Sequence, residues 1–410
     1  MNRLHSIPIR SNSIWHRYRL YSTINTAKLK PLDIIFFGSD QFSIESLKAL
    51  ANLKRENTPS TNNIINSISL VTRPPKWCGR NKSILKVPPI TQYVTNTSLH
   101  SLLNWPPITC DTSLELTERL VPLLNEIRLA GNTSSMLVAV SYGKLIPESV
   151  VRGADYSLNV HPSLLPKYRG SSPIQYTLLN GDLYTGVSVQ TLHPTKFDRG
   201  EIVAQSGELS VSEMLSKREG QEEEENGSGS GSGGAWKTAT LMKQLGVVGG
   251  ELLRDVILNG LYRNGASRIR TDVEKASYAP TIKTDDRRIR WNRDTAVQIA
   301  NKIDVLGPVF TFKRAQPRKS KPVELKRVLF HKLTVTRGDN QPTNSSFMNV
   351  GEYRYDPEED ALLVKCQDGL CLSVTRLQFE GFAIEDAQTF ARRLRKRCGP
   401  TMAEEHKFLP

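Results

Sequence analysis

The first apolar run, Leu32 to Phe37, is broken only by Asp33 and stops at Gly38-Ser39-Asp40. Apolar positions then recur at helical spacing in Ile44, Leu47 and Leu50. Strand, glycine turn and amphipathic helix in that order open a parallel α/β sheet. Ser67 to Thr72 and Ser135 to Ser141 are rich in β-branched residues and predict buried strands, with a helix over Glu115 to Arg128 between them. Leu158-Asn159-Val160-His161 and Gly186 to Leu192 add two strand-like runs, and the segment between them predicts a helix from Pro173 to a glycine cap at Gly181. Thr238, Leu241, Met242, Leu245, Val248, Leu252, Leu253 and Val256 mark one more amphipathic helix. Residues 32–260 therefore read as one Rossmann-like α/β domain with a mostly parallel sheet.

Beyond Tyr278 the pattern changes. One helix, Thr295 to Leu306, precedes strand-like runs at Val309 to Lys313, Val323 to Lys332, Ala361 to Cys366 and Leu370 to Leu377. Short strands with little helix predict a smaller β-barrel domain over residues 278–405. Residues 261–277, with Arg263, Arg268 and Arg270, read as a linker. Residues 217–234 are acidic, then Gly/Ser-rich. They hold no apolar surface to bury and predict a disordered insert.

Charge adds a partner to this picture. The 410 residues carry a formal net charge of +14, which favours an acidic partner, most simply nucleic acid. The basic positions cluster. Arg73, Lys76, Arg80 and Lys82 surround Trp77 in a Pro/Gly-punctuated loop, a pairing of charge and stacking surface that suits an RNA end. Arg287, Arg288, Arg290, Lys313, Arg314, Arg318, Lys319 and Lys321 crowd the second domain, and Arg392, Arg393, Arg395, Lys396 and Arg397 form a basic helix near the end. Backbone-type phosphate binding or a solvated charged face would each produce these runs. Residues 1–30 contain Arg3, Arg10, Arg17 and Arg19, several hydroxyl side chains and no acid. Residues 1–21 accordingly read as a transit peptide addressed to the mitochondrial matrix, with Arg19-Leu20-Tyr21 resembling a matrix-peptidase site. Five scattered cysteines, without a Cys-x-x-Cys pair, read as reduced thiols with neither disulfides nor a metal site. No apolar run is long enough to span a bilayer.

The candidate chemistry lies in Ser157 to Gly200. Residues i and i+2 of a strand face one side, so Asn159 and His161 would project together into a cleft. Asp198 follows in the turn-like segment His193 to Gly200. An amide N–H and an imidazole suit the oxyanion of acyl transfer, and a carboxylate would orient the ring. An amine acceptor is its own nucleophile, so no Ser or Cys is required. Taken singly, Asn159 as a turn cap and His161 as a packed strand end explain the same residues.

The longer string is more specific. Asn159-Val160-His161, Ser163-Leu164-Leu165-Pro166, Arg169-Gly170, Pro173-Ile174-Gln175 and Asp198-Arg199-Gly200 resemble the formyltransferase family that uses 10-formyltetrahydrofolate. The resemblance runs from Leu32 to Ser210 and more faintly beyond. Pro162 stands where that family commonly has Gly, and Arg199 where it has a small residue. The resemblance implies that Asn159, His161 and Asp198 are catalytic. It implies that Ser163, Leu164, Leu165 and Pro166, with Val140, Tyr142 and Gly143 acting through backbone, hold the folate co-substrate, with no metal. It implies an OB-like barrel for the second domain. It is strongest to the branch that formylates the α-amine of methionyl-initiator tRNA, in which a basic loop enters the acceptor arm. That places Arg80 and Lys82, with Arg392 and Arg393 of the tail, among tRNA contacts. Nothing in the sequence sets an oligomeric state, and a monomer is the expectation. Two rival readings remain at this point: a formyltransferase or hydrolase using the same donor with a small molecule or water, and a non-catalytic RNA-binding protein on this fold. The basic loop and tail favour a tRNA acceptor over the first, and the intact Asn159/His161/Asp198 set argues against the second.

Overall fold

A computed structural model describes residues 30–56, 64–79, 82–216, 235–263, 265–270, 272–316, 318, 320, 322–336 and 349–410. The expected transit peptide, the 217–234 insert and Arg80 lie outside the described residues.

The first domain strings together β1 (Leu32–Gly38), α1 (Gln41–Arg55), β2 (Ile65–Thr72), a hairpin of β3 (Lys76–Cys78) and β4 (Ile84–Lys86), α2 (Pro89–Thr95), β5 (Asn104–Thr109), α3 (Ser113–Ala130), β6 (Ser134–Val140), α4 (Glu148–Gly153), β7 (Tyr156–His161), α5 (Pro173–Leu179), the short β8 (Tyr184–Thr185), β9 (Ser188–Gln190), β10 (Ile202–Gln205), the short β11 (Leu209–Ser210), α6 (Val211–Ser216) and α7 (Trp236–Leu258). Its main sheet has the order β10-β9-β7-β6-β1-β2-β5. The strands from β7 to β5 run parallel, and β9 and β10 turn antiparallel at one edge. The pleat divides β1 between two cores. Leu32, Ile34 and Phe36 meet side chains of α1 and α7, while Ile35 and Phe37 meet Leu116, Leu120 and Leu124 of α3. Helix α7 lies close on α1 because Gly250 has no side chain; a Cβ there would sit 2.8 Å from the Glu45 carbonyl oxygen.

The second domain contains α8 (Ala296–Leu306), β12 (Val309–Ala315), β13 (Glu324–Thr336), β14 (Tyr353–Asp356), β15 (Ala361–Lys365), β16 (Cys371–Phe379), β17 (Glu385–Asp386), α9 (Ala387–Cys398) and α10 (Pro400–Glu404). Its antiparallel sheet, β12-β13-β16-β15-β14 with β17 beside β16, curls into an OB-like half-barrel. Register shifts in β13 between Phe330 and Leu333 mark the bend. Trp291, Phe330, Tyr353 and Phe408 fill it, with the Tyr353 and Phe408 rings stacked at 4.3 Å. Leu409 pairs with Phe312 on the edge strand, so the packed domain runs past residue 405. Helix α8 also serves the first domain. Val305 and Leu306 belong to the first core, Asn301 Nδ2 donates to the Leu178 carbonyl at 2.9 Å, and Thr238 Oγ1 donates to the Val305 carbonyl at 2.8 Å.

Two members of the basic clusters are structural rather than available to an acidic partner. Lys313 is 0% exposed, and its Nζ donates to the Met402 carbonyl at 2.6 Å and also to the Glu405 carbonyl. Burial pushes its pKa down. Arg397 is buried against Glu385, donating from NH2 to Oε2 at 3.0 Å, and its guanidinium lies over Phe382. A linear sequence shows the charge but not the strand pleat or helix face that turns each residue inward. Lys313→Ala is therefore expected to cost about 2–4 kcal/mol of stability, by stranding two carbonyls and opening a cavity, and to leave unchanged the salt dependence of binding to any acidic partner. Urea unfolding and a binding titration across salt check both halves.

Candidate active site

β7 ends the parallel run, and its carboxyl end is where an α/β sheet presents ligands. Asn159 and His161 lie there on one face. The antiparallel neighbour β9 sets Gln190 opposite Asn159 and Ser188 opposite His161, so four polar side chains share that face. The loop after β9 then returns Asp198 to them. Asp198 holds φ +50°, a left-handed conformation that a non-glycine residue adopts at some cost and that often marks a functional turn. Gly200 makes this return possible: a Cβ there would stand 1.7 Å from the Thr191 carbonyl oxygen.

The carboxylate is where the pieces meet. Asp198 Oδ1 accepts from Asn159 Nδ2 at 3.2 Å and from Gln190 Nε2 at 3.0 Å, and lies 3.4 Å from His161 Nδ1. Asp198 Oδ2 accepts the Gly170 N–H at 2.8 Å. The imidazole and carboxylate side chains are only 6% and 7% exposed, so solvent screens their interaction little. His161 Nε2 is 2.9 Å from the Tyr168 carbonyl oxygen and must donate there. With that proton committed, Nδ1 faces Asp198 Oδ1.

The other sequence-predicted residues fall in two groups. Ser163 Oγ donates to the Lys167 carbonyl at 2.6 Å. Ser188 Oγ accepts from Leu165 N–H at 3.0 Å and donates to the Ser163 carbonyl at 2.7 Å, pinning the 163–165 loop onto β9. Leu164 packs where a Gly186 side chain would stand, and the Pro166 carbonyl accepts from Ser277 N–H at 3.3 Å. Val140 and Tyr142 at the end of β6 send their side chains into opposite cores, leaving backbone for any ligand, and Gly143 is left-handed at φ +76°. Burial pushes the Tyr142 hydroxyl up to about 12. Lys82 is exposed in the β3–β4 connection, and Arg392 and Arg393 are exposed on α9, where Arg393 lies 3.2 Å from Glu385.

Sequence reasoning missed Gln190, Ser188, the Gly170 N–H and the Tyr168 carbonyl. Ser188 and Gln190 do have the two-residue spacing of Asn159 and His161, but only the pairing of β9 with β7 reveals the shared face. The linker was also underread. Ile269 pairs with Ile202 of β10, and residues 277–279 bind the catalytic loop through Tyr168 N–H to Ser277 Oγ at 2.8 Å, Arg169 N–H to Ser277 O at 2.9 Å and Ala279 N–H to Arg169 O at 2.7 Å. Between the loop and the linker lies a cavity of about 520 Å³, lined by Leu165, Arg169, Gln190, Asp198 and the Gly200–Ile202 and Ser267–Arg270 segments. Arg169 separates it from a second cavity of about 440 Å³ beside Phe197, Arg199 and Tyr278. Burial, then Arg199, holds the Arg169 pKa below its ordinary value.

An amide, an imidazole and a buried carboxylate converging at the carboxyl end of a parallel sheet belong to an enzyme of acyl transfer without a protein nucleophile. The formyl transferase family model matches residues 32–223, and the formyl transferase C-terminal domain model matches residues 281–395. The chain is 44% identical over 398 residues, 95% of its length and 96% of the relative's, to the mitochondrial methionyl-tRNA formyltransferase of Saccharomyces cerevisiae. It is 27% identical to the methionyl-tRNA formyltransferase of Caldicellulosiruptor saccharolyticus, covering 91% of this chain and all of that one. It is 26% identical to the human mitochondrial methionyl-tRNA formyltransferase, covering 83% and 72%. The chain belongs to the methionyl-tRNA formyltransferase branch of the formyl transferase family.

The close approach at Gly200 gives a direct check on the site's construction. Gly200→Ala has to displace the loop that carries Asp198, and a shift of about 1 Å there is expected to lower kcat roughly a hundredfold while near-UV circular dichroism keeps its native form.

Proposed function

We propose that Asn159, His161 and Asp198 transfer the formyl group of 10-formyltetrahydrofolate to the α-amine of methionyl-initiator tRNA, in support of translation initiation in the mitochondrial matrix. The observation that carries this assignment is the single carboxylate, Asp198, engaging both Asn159 and His161 in a nearly dry site. The chain is a one-carbon transferase of the mitochondrion with the folate as donor; identity at 44% over almost the whole length supports the tRNA acceptor over a small amine or water.

In the reaction the amine lone pair attacks the formyl carbon, and negative charge develops on the formyl oxygen. Asn159 has a second amide hydrogen beyond the one on Asp198, and that hydrogen serves the developing charge. His161, held between the Tyr168 carbonyl and Asp198, stabilises the same charge together with Asn159. The new C–N bond forms, the bond from carbon to N10 breaks, and the proton lost by the amine goes to N10 by way of Asp198. Folate is held by the 163–166 loop and by the backbone of Val140, Tyr142 and Gly143. The site is completed within one chain, which supports a monomer as the acting species. Residues 1–21 are the transit peptide, and the packed units are the 32–260 catalytic domain and the following OB-like domain joined through 261–277.

The acceptor is held by charge outside the chemistry. Lys82 and Arg80 of the β3–β4 loop reach the acceptor end, and Arg392 and Arg393 on α9 hold phosphate. Arg73, Lys76 and Lys144 sit behind the loop at 3.3, 3.2 and 3.2 Å from Asp111. Lys76, then Lys144, keeps the Asp111 carboxyl at about 2, so the base of the loop stays ion-paired across the working range.

His161→Ala and Asp198→Ala are each expected to lower kcat about 100- to 1,000-fold with the folded state retained; near-normal turnover in either removes the assignment. Arg80→Ala is expected to lower kcat, because the loop positions the amine. Arg392→Ala is expected to raise KM for tRNA and flatten its log–log salt slope by roughly 0.7 to 0.9. Steady-state kinetics with charged initiator tRNA across a salt series separate the two.

A further inference from the structure

Gln190 is 1% exposed, and its Nε2 donates to Asp198 Oδ1 at 3.0 Å. Only an N–H can face an ionised carboxylate, so this contact settles which end of the amide is oxygen. The oxygen is then turned from Asp198, and Oε1 has no donor among the described residues. Buried carbonyls are rarely left this way, and each such case calls for a cause. Arg169 presents the complementary case: its Nε and one terminal nitrogen are buried without an acceptor among the described residues. Both side chains line the 520 Å³ cavity that opens beside Asp198. Two residues bordering the cavity next to the reacting groups thus hold, just beneath its surface, an unmet acceptor and an unmet donor.

An aminoacyl ester matches that pair. Its α-amine carries N–H donors, and its ester oxygens, a few bonds away, only accept. Attack consumes the amine lone pair, so the orientation of its remaining N–H bonds decides where the lone pair points. Asp198 can take one N–H, and a second acceptor on the same side would fix the rotation about the Cα–N bond. We propose that Gln190 Oε1 is this second acceptor: it receives an N–H of the attacking amine and, with Asp198, aims the lone pair at the formyl carbon, while Arg169 faces the ester oxygens. The inference rests on the formyl transfer reading above. The bond changes are those already described, and Gln190 keeps its own protons throughout.

The test uses the full chain with Gln190→Met, which preserves length but has neither amide group, and Gln190→Glu. Gln190→Met is expected to lower kcat/KM for methionyl-tRNA about 10- to 100-fold with KM for the folate unchanged. Gln190→Glu keeps an acceptor oxygen but sets a second carboxyl against Asp198. Two carboxyls in contact share a proton, so the acid limb of its pH–rate profile is expected to move to higher pH. Wild-type kcat/KM for the tRNA in Gln190→Met overturns the proposal, and so does a loss that appears as a raised folate KM, which would assign the cavity to the donor. If Gln190→Met proves unstable, an unmoved acid limb in Gln190→Glu overturns it instead. An inactive His161→Ala beside an unaffected Gln190→Met refutes only the role of Gln190; an active His161→Ala refutes the underlying reading and this inference with it.

Discussion

The buried carboxylate of Asp198 is the point on which the catalytic domain is assembled. Its four partners arrive from three places: Asn159 and His161 from β7, Gln190 from β9, and the Gly170 N–H from the loop before α5. A charge in so dry a site is tolerable only when its lone pairs are met. Satisfying them forces the β9 register, the left-handed backbone at Asp198 and the bare glycine at 200 into one consistent geometry. Asn159, His161, Gln190 and Asp198 are therefore held as a unit, and displacing one segment costs the others their partner.

The same logic extends to the second domain. The catalytic loop is not closed by the first domain alone, because residues 277–279 bind Tyr168, Arg169 and Ser172 through the backbone and Ser277 Oγ. Gly170 admits this strand: a Cβ there would lie 2.6 Å from the Ala279 carbonyl oxygen. The carbonyl that receives His161 Nε2–H belongs to Tyr168, whose own N–H is held by Ser277. The segment leading into the OB-like domain thus positions the imidazole at one remove. Helix α8, shared between the cores, makes the junction stiff rather than a tether.

Much of this was legible in the linear sequence, and the limits have physical causes. Runs such as Leu32–Phe37 and the helical spacing of residues 238–256 announce buried elements because burial on both faces selects apolar residues. The convergence of Asn159, His161 and Asp198 was legible from spacing and motif. Gln190 was not, since a polar residue in a short strand acquires meaning only from the strand beside it, and β9 lies antiparallel to β7 in a sheet otherwise read as parallel. β14 and β17 were missed for a related reason: four and two residues carry too little alternation to register. Residues 261–277 read only as a linker because Arg263, Arg268 and Arg270 are charged. Arg268 in fact satisfies the carbonyls of Leu261, Arg263 and Ala266 and meets Glu201 at 3.3 Å, so it folds the linker instead of decorating it.

That distinction bears on how net charge is read as an RNA footprint. Lys313 and Arg397 are buried, Arg268 staples a turn, and Arg73, Lys76 and Lys144 gather around Asp111. Lys313 and Arg397 contribute fully to the formal charge and little to a surface that phosphate could touch, and the others are already engaged by partners within the chain. What remains outward is organised. Arg392, Arg393, Arg395 and Lys396 occupy the exposed side of α9, while Phe390 and Leu394 on its other side enter the core. Amphipathicity therefore does two jobs in one helix, since the apolar face that anchors it also commits the opposite face to solvent and concentrates the cations there. A patch built this way suits backbone phosphate with little regard to base.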